Sequence, residues 1–520
     1  MTTRWLLGVE TGSNQAFIFA SNRLRENVGA SALTAEATTA WLDEALSGVD
    51  GTQIVQRSSG RSLVLFDDRG AAKRVAADMT SRALCEAPGL ELTAAVVEVD
   101  ETTGATALNS VRALGQRLES NRTKRPAPLT RFARTPLDAA CRSSSFPAAA
   151  VHQDVKAEGA AERSASVIAK RDASQRARRT LQERIRANAA DVPPQLEGSM
   201  GDLSEALEGA SDWIGVVHAD GNGIGQLLVA LGGETANGSA ESYWEDLSKL
   251  SAAIDGTGVK AFAQALGETP AVPLILGGDD LTVLLRGQDA LPFAVRYLKA
   301  FDELTGGDPD ISRLAPDGRL AACAGVAIVK RSHPFSAAYE LAEQLADSAK
   351  RVKRRVVTRE DRTVACSALD FHVLYDSTGA QLPRIRRQLE RPDAVMHGRP
   401  YVVTALGALS EASSDAQAWA RARDVQMLDT RVRALEEARE DTAGRNQILA
   451  MRAALQETPS AASARAAGIV RRHPALAAHL DGEDGELFVD VPDARDGTPR
   501  PTSRLLDVLD AHALTPGGLT

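Results

Sequence analysis

Gly277-Gly278-Asp279-Asp280 sets two adjacent carboxylates after a glycine pair, between the apolar runs Leu274–Leu276 and Leu281–Leu285. Apolar runs around a Gly turn signal a hairpin. Glycine suits such a turn because it adopts positive φ and lets another group approach the backbone. Two aspartates at the end of apolar strands are costly unless water or cations neutralise them. Read alone, the four residues are equally an acidic hairpin tip facing water. Upstream, Asp220 closes the apolar run Trp213–Ala219 and opens Gly221-Asn222-Gly223-Ile224-Gly225. If Asp220, Asp279 and Asp280 converge, their oxygens suit a pair of hard cations, Mg2+ or Mn2+, that also bridge substrate phosphates. Two such metals about 4 Å apart activate an attacking oxygen and stabilise a leaving pyrophosphate. That is nucleotidyl-transfer chemistry.

Convergence requires a particular frame. A strand at 213–220, a helical stretch including Tyr243–Leu266 and a hairpin at Pro273–Leu285 make the first half of a ferredoxin-like β-α-β-β-α-β unit. In it the end of the first strand lies beside the hairpin tip. A helix at Leu291–Leu304 and a strand at Leu320–Val329 complete the unit. The same order occurs earlier. Residues 4–20 read as a strand, a turn at Gly12-Ser13-Asn14 and a strand continuing through Phe17-Ile18-Phe19. Then follow a helical Ser21–Leu46, a hairpin at Gln53–Phe66, a helix at Ala71–Ala87 and a strand at Leu90–Val99. Chance explains any one apolar match, but the shared order points to a duplicated unit. The earlier tip reads Ser58-Ser59-Gly60-Arg61, with a cation where a metal should sit, so this copy is expected to be non-catalytic.

The expected fold class is therefore α+β: two ferredoxin-like palm (nucleotide cyclase-type) units and an α-helical C-terminal domain. The expected divisions are 1–103 for the degenerate unit, 104–210 for a linker and helical insertion, 211–405 for the catalytic unit and 406–520 for the helical domain. The insertion contains a basic helix at Glu162–Asn188, read as a solvated face. Asp481–Pro501 reads as an acidic loop. A second basic run, Lys350-Arg351-Val352-Lys353-Arg354-Arg355, ends an amphipathic helix. It exceeds what the helix dipole calls for, and places Lys350 near a triphosphate.

The length of 520 residues allows three or four domains. A net charge of −9 excludes a protein held on nucleic acid by bulk charge. Cys85, Cys141, Cys323 and Cys366 are scattered, which argues against a zinc site or disulfide framework and for a reducing cytoplasm. No apolar run reaches the ~18 residues of a membrane span, and no signal-peptide pattern opens the chain. Gly221-Asn-Gly-Ile-Gly225 has the wrong spacing for a dinucleotide fingerprint. His218 and His333 are read as structural or substrate-edge groups.

These motifs resemble the large palm-domain subunit of type III CRISPR effector complexes and its stand-alone relatives. The resemblance rests on Ala219-Asp220-Gly221-Asn222 with Gly225, on Gly277-Gly278-Asp279-Asp280, on Ala324–Lys330 before His333-Pro334, and on Leu341-Ala342-Glu343 through Ala349-Lys350. Gln15–Phe19, Arg23–Glu26 and Gly29-Ala30-Ser31 resemble the family's first palm-like unit, and Ala368–His372 its post-palm segment. The likeness runs from residue 4 to about 405. It implies a cyclase or oligonucleotide synthase making a second messenger from ATP or another NTP in antiviral defence. Asp220, Asp279 and Asp280 would then be metal ligands, with Gly221, Asn222, Gly225, Gly277, Gly278 and Lys350 around the nucleotide. Partners implied are an RNA or protein activator, a second copy of the chain, or the other subunits of an effector complex. No His-Asp dipeptide occurs, so cleavage by the HD nuclease domain of larger members is not expected. Asn222 stands where many members carry a second acidic residue. The competing expectation is a non-enzymatic scaffold that holds a nucleotide or RNA.

Overall fold

The computed structural model describes residues 3–126, 130, 132, 135, 137–154, 159–189, 193, 196, 212–375, 381–439, 442–480, 486–493, 497–515 and 517–519. Among these, no helix is long and apolar enough to cross a membrane. The expected segment end at 197–211 lies outside the described residues, as do parts of the acidic stretch at 481–485 and 494–496.

β1 (Arg4–Gly12), β2 (Thr52–Ser58), β3 (Arg61–Phe66) and β4 (Glu91–Val99) form one antiparallel sheet in the order β2-β3-β1-β4. β5 (Ala150–Asp154) and β6 (Gly159–Arg163) pair as a separate hairpin. β7 (Trp213–Asn222), β8 (Ala271–Gly277), β9 (Asp280–Arg286) and β10 (Ala321–Lys330) repeat the first plan, in the order β10-β7-β9-β8. In both units the first strand lies between the third and the fourth, the ferredoxin-like arrangement. β11 (Ala368–Val373), parallel to β10, and the short β12 (Tyr401–Val402) widen the second sheet to six strands.

Packing explains the sequence of β10. The strand is buried except at Lys330, because the helices Gly287–Gly307 and Phe335–Ala349 both pack on it. A Cβ at Gly325 would stand 1.9 Å from the Ala342 carbonyl oxygen, so the small run Ala321–Gly325 is what lets the second helix close on the sheet. The helix Gly104–Thr123, in the segment expected to link the units, packs on β1 and β4 through the buried Leu114 and Leu118.

Four expectations are corrected. Phe17-Ile18-Phe19 does not continue β1; Asn14–Ile18 is a short helix entered through a left-handed Ser13 at φ 51°. The helical path buries all three apolar side chains and stacks Phe19 on Tyr339 of the second unit at 4.1 Å. Gly221 and Asn222 belong to β7, and the turn begins at Gly223 with φ 99°. The basic helix, observed as Ala165–Ala189, is no solvated face: Lys170 and Arg171 are buried and Arg176 pairs with Glu36 at 2.8 Å. The acidic loop contains a hairpin of β13 (Val489–Pro492) and β14 (Pro499–Thr502), so the C-terminal region is not purely helical.

The helix Leu505–His512 is pinned to the second sheet by a buried ionic cluster. Arg399, 1% exposed in its side chain, meets Asp507 at 2.9 Å and Asp510 at 3.0 Å, and lies over the Phe371 ring at 4.0 Å. Asp507 also accepts from the Gly398 N–H at 2.6 Å and the Tyr401 hydroxyl at 2.7 Å. Beside it, burial and then the positive charges of Arg399 and Arg386 push the His372 imidazole down to about 3. The folded chain thus binds one proton fewer than the unfolded chain between about pH 6.5 and 3. Stability carried by neutral His372 is complete above the unfolded value and drains away as pH falls, by up to ~1.4 kcal/mol per pH unit. Denaturant titrations of the wild type and His372→Asn between pH 6.5 and 4 should show the slope reduced by about one proton in the variant; equal slopes would remove His372 from the account.

Candidate active site

The hairpin tip between β8 and β9 carries Gly278 at φ 59°, the left-handed region that glycine enters without penalty. It is held to β7 by the Gly221 N–H, which donates to the Asp279 carbonyl at 3.1 Å. A Cβ at Gly221 would lie 2.5 Å from the Asp279 Cβ, so glycine there is what admits the tip. The frame brings Asp220, at the end of β7, beside Asp279 and Asp280, as the ferredoxin-like reading requires. Asp280 feels the negative charges of both Asp279 and Asp220.

The electrostatics are strained. Burial first, then the neighbouring Asp220 carboxylate, push Asp279 up to about 6. Desolvation, then the charges of Asp279 and Asp220, raise Asp280, although that residue is exposed to solvent. Lys350 offsets part of this: its ammonium sits 2.9 Å from Asp220 and 3.3 Å from Asp347. Burial opposes its charge, and the bonds to Asp220 and Asp347 raise its pKa above the ordinary value. Lys353 is near enough to lower Asp279.

Three crowded carboxylates with an excess of negative charge are the donor chemistry of a hard divalent cation. Among the described residues, however, no group of three or more His, Cys, Asp or Glu side chains is gathered into a metal set. Lys350, drawn to Asp220, occupies that carboxylate instead.

The other expected residues divide. Gly277 abuts the first unit: a Cβ there would stand 2.8 Å from the Ser59 Cβ. Asn222 is buried, its amide donating to the Cys323 sulfur at 3.1 Å and its oxygen unpartnered among the described residues. Gly225 lies in the first turn of the next helix, with open space where a Cβ would be. His218, expected to be a structural or substrate-edge group, is buried with Nδ1 3.1 Å from the Thr282 hydroxyl, and it also lines a cavity beside the tip.

Two cavities flank the tip. One, about 380 Å³, is lined by Ser31, Thr34, Ser59, Arg184, His218, Asp280 and Tyr339. The other, about 390 Å³, is largely apolar, with Tyr243, Leu247 and Ile254 on one wall and Asp279 and Asp280 at its end. Arg61 and Arg112 border this second cavity. Arg61, from the first unit's tip, thus borders the cavity that ends at Asp279 and Asp280, a position missed in the sequence. Glu26 is buried and accepts from the Ser143 hydroxyl at 3.1 Å, whereas Val28 and Ser31 of the same stretch line the first cavity.

Residues 213–358 match the Cas10/Cmr2 second palm domain family. Among solved structures, the chain is similar to a Csm1–Csm4 cassette in complex with AMPPNP, at 16% identity and a TM-score of 0.42, over 69% of this chain and 55% of that one. A cassette in complex with cA4 gives 15% identity and a TM-score of 0.40, over 67% and 53% of the two chains. The chain therefore spans about half the length of the solved structures it matches. No curated protein matches it.

Proposed function

We propose that this chain, a Cas10-like palm-domain protein by its residues 213–358, is a metal-dependent nucleotidyltransferase that makes a cyclic or linear oligonucleotide messenger from ATP or another NTP. The observation that carries the reading is the meeting of Asp220, Asp279 and Asp280 beside Lys350, at a seam between two ferredoxin-like units.

Asp220, Asp279 and Asp280 would hold Mg2+ or Mn2+, which when bound supplies charge stabilisation at the reacting phosphate. Gly277 and Gly278 leave the tip without side chains, so a triphosphate can approach its backbone. With a cation on Asp220, Lys350 would be free to bind phosphate oxygens by a charge-assisted contact, with Lys353 as a further cation nearby. In the reaction, a ribose hydroxyl oxygen of one nucleotide bonds to the α-phosphorus of another. The bridge to the β-phosphate breaks, pyrophosphate leaves, and the hydroxyl proton passes to solvent. The first unit, without carboxylates at its tip, serves to hold the partner nucleotide and to close the seam. Effector-complex membership and a role in antiviral defence belong to the same proposal, on the resemblance of the palm motifs.

The test is incubation with ATP and GTP, singly and mixed, with Mg2+ or Mn2+, products being read by mass spectrometry beside an Asp279→Ala/Asp280→Ala control. An oligonucleotide absent from the control establishes the reaction. Nucleotide binding with no product under any condition points to an enzyme awaiting its activator or to the scaffold reading, and silence without binding removes the synthase reading. Lys350→Ala is expected to weaken nucleotide affinity about tenfold through loss of a charge-assisted contact, measured by calorimetric titration. Unchanged affinity would show that the lysine stays with Asp220.

A further inference from the structure

The tip that carries Asp279 and Asp280 is held from outside its own sheet. Arg184, on the helix Ala165–Ala189, donates from Nη1 to the Leu276 carbonyl and from Nη2 to the Asp255 carboxylate. Asp255 lies in the helix Ala240–Leu266, and the same Oδ1 accepts the Gly278 N–H at 2.9 Å. Leu276 and Gly278 bracket Gly277, so the pair grips both sides of the turn immediately before the two carboxylates.

The local sequence supports this. Asp255-Gly256-Thr257-Gly258 places poor helix formers inside a helix of 27 residues. A Cβ at Gly258 would meet the Gly278 carbonyl oxygen at 2.5 Å, so the glycine brings the helix backbone onto the turn. The arginine's helix is equally fixed at its other end. A Cβ at Gly29 of the first unit would meet the Lys170 carbonyl oxygen at 1.6 Å, and Arg176 pairs with Glu36 of that unit at 2.8 Å.

We infer that Arg184 and Asp255 are positioning residues for the carboxylate turn, and that the helix Ala165–Ala189 mechanically joins the first unit to it. The pair touches no reacting atom; it fixes the backbone from which Asp279 and Asp280 project. The kinetic side of this inference rests on the nucleotidyltransferase reading, whereas the backbone restraint does not.

Backbone amide hydrogen exchange over residues 274–285 tests it in the full chain, comparing wild type, Asp255→Asn, Arg184→Met and Arg184→Lys. Loss of the charged acceptor or its partner should speed exchange at Gly278 and Asp279 about tenfold or more. β4 should be unchanged, Arg184→Lys intermediate, and the Arg184→Met/Asp255→Asn double variant no faster than the worse single one. Turnover should fall about tenfold to a hundredfold with KM within about twofold, the signature of misplaced groups rather than lost binding. Unchanged exchange in both Asp255→Asn and Arg184→Met overturns the inference. So does a raised KM at constant kcat, which would make Arg184 a direct nucleotide contact in the cavity it borders. If the wild type forms no product, the exchange result alone decides the restraint, and only the proposed reaction falls.

Discussion

Asp279→Asn is expected to stop product formation by about a thousandfold and at the same time to raise the unfolding temperature of the metal-free protein. A carboxylate that helps hold a catalytic cation supports several kcal/mol of charge stabilisation at the reacting phosphate, and about 4 kcal/mol corresponds to roughly a thousandfold in rate. The gain in stability comes from the crowding that makes the site suitable. Asp279 is enclosed beside Asp220 and Asp280, with Lys350 as their nearest cation, so its charge is costly in the free protein. A neutral amide of the same shape removes one like charge and should recover ~1–2 kcal/mol. Paired assays settle it: product by mass spectrometry with Mg2+, and thermal unfolding in chelator. Retained turnover would take Asp279 out of the reaction, and a lowered unfolding temperature would show that the carboxylate is needed structurally.

Arg399→Met is expected to be the most destabilising single change outside the site, at about 3–5 kcal/mol. The guanidinium is enclosed, stacked on Phe371, bonded to the Phe371 carbonyl at 2.6 Å and paired with Asp507 and Asp510. Its removal leaves Asp507, fully buried, with only the Gly398 N–H and the Tyr401 hydroxyl. Two neutral donors do not compensate a buried charge. The double variant Arg399→Met/Asp507→Asn should recover most of the loss, because the orphaned charge goes with its partner. Denaturant unfolding of the two singles and the double closes the cycle; a loss below about 1 kcal/mol for Arg399→Met would show that the cluster does not hold the C-terminal helix.

Features set by short-range pattern were legible in the sequence. The glycine pair, the flanking apolar runs and the order of elements led to both ferredoxin-like units and to the neighbourhood of Asp220, Asp279, Asp280 and Lys350. What was missed depends on long-range partners. Arg184 is one cation among many on a basic helix, and nothing local separates it from Arg186; its distinction is to reach Leu276 and Asp255. Asp255 did carry a signal, since Asp-Gly-Thr-Gly inside a helix calls for a close backbone approach. Phe17–Phe19 misled because three consecutive apolar residues fit a strand as readily as a short buried helix. Asn222 followed Asp220 in a plausible motif and lies on the same face of β7, but the neighbouring Cys323 sulfur takes its amide.

Ser59, Gly277 and Asp280 each belong to the lining of both cavities. The two chambers therefore have a common partition, made of one residue from the first unit and two from the second. Occupants of the two sides would share that wall, and any coupling through it is reciprocal: whatever affinity the first gains or loses from the second, the second gains or loses in equal measure from the first.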